Sequence, residues 1–174
     1  MPKESLFHIS EDGNIDIFYP RPSPSYYKEI WRDCVFAISG KLLHNYLLPR
    51  DCPRVAYYAS ENTSKVDVDK FFSNGETKYV VAIENNWYQK MKDTILFCYK
   101  FPNEKFSWLD KVAGYYISYE AVKPLSVIKI EDAMLELFNR NVELRILPSL
   151  GNLADDVKKS SLNFSLIRMR NAHN

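Results

Sequence analysis

The chain has 174 residues, of which 46% are hydrophobic and 14% aromatic. This length suits one domain with a buried core, and the composition excludes a disordered tail, a collagen-like fibre and a low-complexity linker. Lysine and arginine total 23 against 22 aspartates and glutamates, which leaves a formal net charge of only +1. Such a balance disfavours broad electrostatic capture of nucleic acid, so we expect no nucleic-acid partner.

The cysteines and the apolar runs indicate the cellular compartment of the protein. Cys34, Cys52 and Cys98 include no close pair, which is atypical of a secreted disulfide scaffold or a zinc site. The first eight residues lack the apolar stretch of a signal peptide. The longest apolar runs, such as residues 79–83, have only the length of a strand. We therefore expect a cytoplasmic protein with no metal site and no membrane segment.

The first part of the chain is predicted to contain short strands and two short helices. Apolar or alternating runs predict strands over 6–9, 15–19, 34–38 and 55–59, and helical spacing predicts helices over 41–48 and 66–72. The proline-rich stretch over 20–25 cannot form regular structure, because proline lacks a backbone donor and restricts the residue before it. Irregular loops of this kind often carry function.

The remaining residues continue this mixture of elements. Strands are predicted over 79–83, 94–101, 115–118, 122–130, 142–147 and 164–169, and helices over 87–92, 131–140 and 153–161. Many strands with short helices between them favour an α+β fold with mixed or antiparallel β-sheets. We predict a single domain over 1–174, with a core over 1–130 and a C-terminal helix-and-strand extension over 131–174.

The end of the first predicted strand carries a candidate ligand-binding pair. His8 and Ser10 are two residues apart and therefore share one face of a strand. An imidazole beside a hydroxyl can bind a polar ligand. The alternative is a structural histidine that bonds a backbone group.

The densest polar cluster of the sequence lies at residues 47–54, LLPRDCPR. Arg50 and Arg54 are candidates to clamp a phosphate or carboxylate group through paired hydrogen bonds. The alternative is that Asp51 pairs with one arginine and pins the turn. Tyr46, just before this cluster, is a candidate to stack on a planar ligand, and core packing is its alternative role.

A tyrosine-rich segment supplies the candidate catalytic residues. In an extended strand Tyr115 and Tyr119 share one face, and Tyr116 and Glu120 share the other. Glu120 is a candidate catalytic carboxylate, and a solvated edge charge is the alternative. The chain has no P-loop, G-x-G-x-x-G or G-x-S-x-G motif, which disfavours P-loop NTPases, Rossmann dehydrogenases and α/β-hydrolases.

Three segments together resemble the signature of the ADP-ribosyltransferase-like fold, over about residues 6–130. They are LFHIS (6–10), VFAIS (35–39) with the following helix that bears Tyr46, and YYISYEAVKP (115–124). In that fold the first strand carries a histidine in an H-x-T-like signature, and a second strand and helix supply a serine or threonine and a tyrosine. A later strand brings a glutamate before a V-x-P element. The chain is also similar to a family of small uncharacterised bacterial proteins, through LFHISED, YLLPRDCPRV and IRMRNA.

The resemblance implies NAD as the cofactor. It places His8 against the ribose or nicotinamide, with Ser10 in the position of the signature threonine. It also implies that Tyr46 stacks on the nicotinamide and that Arg50 meets the diphosphate. At the position of the family's glutamate the chain has Tyr115 or Tyr116, and Glu120 follows several residues later.

These observations leave three expected functions. The first is an ADP-ribosyltransferase-like enzyme that uses NAD, with Glu120, Tyr115 or Tyr116 assisting the chemistry. The second is a non-catalytic module that binds a small nucleotide-like ligand, which the displaced glutamate favours. The third is an interaction protein whose aromatic surface closes a homo-oligomer.

Overall fold

The computed structural model describes residues 4–24, 26–72 and 77–173. The chain divides into two compact units, each built from two stretches of sequence. The first unit comprises Met1–Leu43 and Ile95–Glu131, and the second comprises His44–Thr94 and Asp132–Asn174. Each unit contains one β-sheet, and helices and strands are both present, so the predicted α+β fold class is confirmed.

The secondary structure consists mainly of short strands. The strands are β1 (Leu6–Ser10), β2 (Val35–Ser39), β3 (Arg54–Tyr58), β4 (Tyr79–Glu84), β5 (Leu96–Phe101), β6 (Ser107–Asp110), β7 (Tyr115–Ser118), β8 (Ser126–Ile130), β9 (Val142–Leu147) and β10 (Asn163–Ile167). The α-helices are α1 (Lys65–Phe71), α2 (Tyr88–Asp93), α3 (Ala133–Asn139) and α4 (Gly151–Lys158). Short 3₁₀-helices cover Gly40–Tyr46, Asn85–Trp87 and Met169–Asn171. Within the described ranges, no helix is long and apolar enough to cross a membrane.

The first unit is organised around a six-stranded sheet with the order β6-β7-β2-β1-β5-β8. All of its neighbouring strands are antiparallel. Strand alternation places the small and apolar side chains of β1, β2 and β5 on one face, where they form a buried core. This core contains Leu6, Phe18, Val35, Ala37, Tyr99, Phe101 and Val122.

Two backbone bridges attach the segment after β1 to this unit. Phe18 and Val122 exchange hydrogen bonds of 2.8 and 2.9 Å, and Arg21 and Cys34 exchange bonds of 3.1 and 3.0 Å. The second bridge joins the two ends of the segment 21–34, which therefore has the closed base of an Ω-loop. The strand predicted over 15–19 is wrong, since only the single bridge at Phe18 forms there.

The second unit is organised around a four-stranded sheet with the order β10-β3-β4-β9. Strand β4 runs parallel to β9 and antiparallel to β3. Its run from Val80 to Ile83 is completely buried, as a continuous apolar run predicts for a central strand. Side chains of α1 and α4, such as Phe71 and Val157, cover the core of this sheet.

The C-terminal segment is an integral part of the second unit. Sequence analysis predicts an extension over 131–174 to a core over 1–130. In the structure, β9 and β10 supply the two outer strands of the sheet that β3 and β4 begin. The segment therefore completes a sheet with residues 44–94. Its strands pair with β3 and β4 and satisfy the backbone hydrogen-bonding groups on the outer side of each.

Polar caps set the ends of two helices. The Ser64 side chain accepts the N–H of Asp67 at 3.2 Å at the start of α1. Asp132 accepts the N–H of Leu135 at 2.9 Å at the start of α3. Asn141, with φ of 54°, follows α3 in the left-handed conformation that commonly ends a helix.

We predict that Gly114 is required for stability. Its φ is +69°, and a Cβ there would lie 2.8 Å from Ser39 Oγ. We expect Gly114→Ala to lower the free energy of unfolding by about 1–3 kcal/mol, because it combines backbone strain with a clash. Gly151→Ala is the matched control, since the nearest atom to its Cβ is 3.8 Å away in the first turn of α4. Equal destabilisation of both variants in urea denaturation would contradict this.

A buried histidine makes the stability of the second unit depend on pH. The His44 ring lies 4.8 Å from the Tyr79 ring in an edge-to-face arrangement. Burial, reinforced by the positive charge of Arg140, lowers the pKa of His44 from 6.5 to about 4. Between these two values the unfolded chain binds a proton that the folded chain does not, so acid favours unfolding.

We therefore predict that stability falls as the pH is lowered from 6.5 towards 4, by an amount that reaches on the order of 3 kcal/mol. Denaturant titrations at several pH values measure this slope. His44→Gln should flatten it, whereas His173→Gln, at an exposed position, should leave it unchanged. The same slope in the wild type and in His44→Gln would assign the acid sensitivity to other groups.

Candidate functional site

An open groove lies along the loop between Arg21 and Cys34 in the first unit. Its volume is about 420 Å³. The groove is lined by Pro22, Ser23, Pro24, Tyr26, Tyr27, Ile30, Trp31, Arg32 and Asp33. Proline fixes its own φ, so the two prolines stiffen the first wall of the groove. Sequence analysis predicts the irregular stretch over 20–25, of which Ser25 lies outside the described residues.

A guanidinium stacked on two aromatic rings forms one side of the groove. The Arg32 Cζ lies 4.5 Å from the centroid of the Trp31 ring and 5.0 Å from that of Tyr119. The Tyr119 hydroxyl donates to the carbonyl oxygen of Glu29 at 3.0 Å, which ties this ring to the loop. A guanidinium held close to two aromatic rings keeps its positive charge beside the groove, where it can attract an anion.

Two aromatic side chains of the groove are unusually exposed. Tyr26 is 89% exposed and Trp31 is 70% exposed. Large rings exposed together at a groove are typical of a binding surface, because a planar ligand that stacks on them removes apolar area from water.

The Tyr27 hydroxyl adds a neutral polar group to the groove. Burial raises the pKa of Tyr27 to about 12. Electrostatic interactions with Tyr115, Asp110 and Glu29 contribute less and in the same direction. The Tyr27 ring meets the Tyr115 ring edge-on, with centroids 6.4 Å apart. The phenol therefore stays protonated near neutral pH and can both donate and accept a hydrogen bond.

His8 faces the core of the first unit. It lies on β1 opposite Tyr99 of β5, and its ring centroid is 4.9 Å from that of Phe18. Its Nδ1 lies 3.1 Å from the carbonyl oxygen of Phe36 on β2. Because a carbonyl oxygen only accepts, a hydrogen bond here requires the proton on Nδ1. These contacts match the structural alternative and also fix the orientation of the ring.

Ser10 holds the turn that follows β1. Its Oγ accepts the backbone N–H of Asp12 at 3.0 Å, and Asp12 in turn accepts the N–H of Asn14 at 2.9 Å. The Tyr99 hydroxyl donates to the carbonyl oxygen of Asp12 at 2.8 Å. The structure thus places the Ser10 hydroxyl within a local turn network.

Tyr115 and Tyr116 lie on opposite faces of β7, as the alternation predicts. The Tyr115 ring packs edge-on against Phe36, with centroids 6.3 Å apart. The Tyr116 hydroxyl donates to Glu4 Oε2 at 3.0 Å. Burial and this hydrogen bond raise the pKa of Tyr116 to about 12, so the phenol is not a base near neutral pH.

Glu120 lies beyond the end of β7, which stops at Ser118. The Ser118 Oγ accepts the N–H of Glu120 at 3.2 Å and so turns the chain there. The alternation predicted through residue 120 therefore ends two residues earlier. The Glu120 carboxylate pairs with Lys105 Nζ at 3.1 Å, and its side chain is 70% exposed. This environment matches the alternative of a solvated edge charge.

The three remaining predicted site residues belong to the second unit. Arg54, the first residue of β3, is almost fully buried, and its Cζ lies 5.7 Å from the Tyr46 ring centroid. Its two terminal nitrogens donate to the carbonyl oxygens of Pro49 and Arg50 at 3.4 and 3.5 Å. Arg54 therefore supports the loop, and Arg50 is the exposed member of the predicted clamp.

The C-terminal segment also contacts this loop. Arg168 Nε donates to the carbonyl oxygen of Arg50 at 3.3 Å, and Asn171 Nδ2 donates to that of Asp51 at 2.7 Å. Arg168 has a positive φ of 54°, which directs the chain into its last 3₁₀-helix. Both side chains thus hold the backbone of the loop in place.

The predicted site residues fall into two sets. His8, Ser10, Tyr115, Tyr116 and Glu120 lie in the first unit, and Tyr46, Arg50 and Arg54 lie in the second. An NAD site that combines residues of both sets stays a prediction. Sequence analysis missed Tyr26, Trp31 and Arg32, and the one available signal was the proline-rich stretch before them.

Comparison with known proteins shows the family of the chain. A family model described as "Family of unknown function (DUF6886)" matches residues 7–172, so the chain belongs to this family. No curated protein and no solved structure matches the chain.

We predict that the two arginines of the predicted clamp differ in their effect on stability. Arg54→Met should lower the free energy of unfolding by about 2–4 kcal/mol, because the carbonyl oxygens that it bonds lose their donor. Arg50→Met is the matched control, and as a surface substitution it should change stability by no more than about 0.5 kcal/mol. Urea denaturation measures both values, and similar losses would show that Arg54 has no special supporting role.

Proposed function

We propose that this DUF6886 protein binds a small nucleotide-like ligand, with NAD as the first candidate, and does not transfer ADP-ribose. The observation that carries the proposal is the Arg32 guanidinium stacked on Trp31 and Tyr119 beside the groove. This arrangement combines a fixed positive charge with exposed aromatic faces.

The chemistry of the groove suits the parts of a nucleotide. A base or nicotinamide ring would stack on Tyr26 or Trp31, since stacking accepts any planar ring. A phosphate would accept hydrogen bonds from Arg32, whose guanidinium geometry matches two phosphate oxygens. The carboxylate of Asp33 and the phenol of Tyr27 line the same groove and would bond ribose hydroxyls.

The position of Glu120 supports binding over catalysis. An ADP-ribosyltransferase needs a carboxylate that stabilises the positive charge developing on the ribose. Glu120 instead pairs with Lys105 in an exposed position, which offsets its negative charge. Tyr116, one of the two tyrosines at the position that the resemblance assigns to the glutamate, donates its hydroxyl to Glu4.

The ADP-ribosyltransferase-like enzyme is the second candidate. The observation in its favour is the fixed orientation of the His8 ring, whose Nδ1 contacts the carbonyl oxygen of Phe36 at 3.1 Å. In that case NAD would contact His8, as the resemblance implies. The cytoplasm is the proposed location for either function, because all three cysteines are buried and free of disulfides, as in a reducing compartment.

We predict that NAD at millimolar concentration raises the melting temperature of the wild-type protein. Arg32→Gln should weaken NAD binding about tenfold or more, because it removes the charged donor for phosphate. Calorimetric titration with NAD and with ADP-ribose measures the affinity. Lys111→Gln is the matched control, since Lys111 also stacks on a tryptophan, 4.2 Å from the Trp108 ring centroid, but does not line the groove.

The two candidate functions give different results in the same experiment. If His8→Ala abolishes binding and Arg32→Gln does not, NAD binds at the site that the resemblance implies. Transfer of ADP-ribose, followed with labelled NAD and the wild-type protein, would support the enzyme. The absence of any thermal shift or heat of binding with NAD and ADP-ribose would contradict both.

A further inference from the structure

The outer edge of β8 carries exposed apolar side chains. β8 is the last strand of the six-stranded sheet and pairs only with β5 among the described strands. Its residues Val127 and Ile128 are exposed, as is Leu125 just before it, and Ile128 is 64% exposed. Val127 lies opposite Tyr99 and Ile128 opposite Cys98, so both faces of the sheet are apolar at this edge.

The opposite edge of the same sheet is protected in the usual way. β6 has only four residues, and its pairing with β7 is interrupted by a register shift between Trp108 and Asp110. Short length and a bulge both prevent another strand from pairing. β8 pairs with β5 in regular register over all five of its residues. The one charged residue of β8, Lys129, contacts Glu131 Oε1 at 2.6 Å, so the second carboxylate oxygen of Glu131 can accept from another cation.

We propose that β8 pairs with β8 of a second copy of this chain, antiparallel and about a two-fold axis through Val127. Lys123 and Glu131 each lie four residues from Val127 along the chain. In this register Lys123 of one copy lies opposite Glu131 of the other, and the two-fold axis repeats this pair. Both residues are exposed in the single chain.

The charges at the two ends of this stretch are self-complementary, which favours a second copy of β8 over an unrelated strand at this edge. The stretch 123–131 begins with a lysine and ends with a glutamate, so two antiparallel copies place opposite charges at both ends. Two parallel copies would place like charges together. Backbone pairing extends over residues 125–129, since Pro124 has no N–H to donate, and it covers Val127 and Ile128 from water. A single strand pair buries little area, so the dimer is weak and depends on concentration.

Sedimentation velocity at low ionic strength over a range of protein concentrations tests the proposal. We expect a monomer–dimer equilibrium for the wild type. Ile128→Gln should shift the equilibrium to the monomer. Trp108→Gln is the control and should not shift it, because it also replaces an exposed hydrophobic side chain with glutamine but lies on the opposite edge. A wild type that stays monomeric at every concentration overturns the proposal.

Charge reversal tests the register. Lys123→Glu and Glu131→Lys should each weaken the dimer roughly tenfold, because each variant places two like-charge pairs across the axis. An equimolar mixture of the two variants should regain the wild-type affinity, since both pairs are then of opposite charge. A dimer that neither reversal weakens, or that the mixture does not restore, overturns the antiparallel pairing. Neither outcome depends on ligand binding in the groove.

Discussion

The backbone pairing of Arg21 with Cys34 is the constraint on which the candidate site depends. It joins the ends of a loop that would otherwise be free to adopt many conformations, and thereby limits the entropy cost of ordering the loop. Phe18, three residues before the pair, packs its ring on Tyr99 and Phe101 and bridges to Val122. The loop is thus fixed at its base to the sheet, and its aromatic side chains line the groove.

The second unit uses its polar side chains differently. Arg54 supports the loop that precedes β3, and the buried Glu84 accepts the backbone N–H of His173 at 3.0 Å. Arg145 donates to Glu143, to the Tyr57 hydroxyl and to a backbone carbonyl, each at 2.6 Å. Such networks stabilise a fold because they supply hydrogen-bond partners to buried polar groups, and the sequence alone does not distinguish them from ligand-binding clusters.

How well each part of this fold can be predicted depends on how far apart in the sequence the interacting residues lie. The strand from Val142 to Leu147 is predicted with its observed ends, since a short alternating run determines it locally. The pairing of that strand with β4 joins distant parts of the chain, so no local pattern indicates it. Trp31 is not predictable as a site residue, because an exposed loop side chain produces no hydrophobic periodicity. The Ser10 hydroxyl accepts the N–H of Asp12 in a turn, and strand alternation gives no indication of this bond.

The groove beside Trp31 is the proposed nucleotide site, and the fluorescence of Trp31 tests this binding most directly. The chain has three tryptophans, so the double variant Trp87→Phe/Trp108→Phe leaves Trp31 as the single one. Titration of this variant with ADP-ribose should change the Trp31 emission in a saturable way, at the affinity measured by calorimetry. Binding that is detected by calorimetry while the Trp31 emission stays constant would place the nucleotide elsewhere and contradict the account.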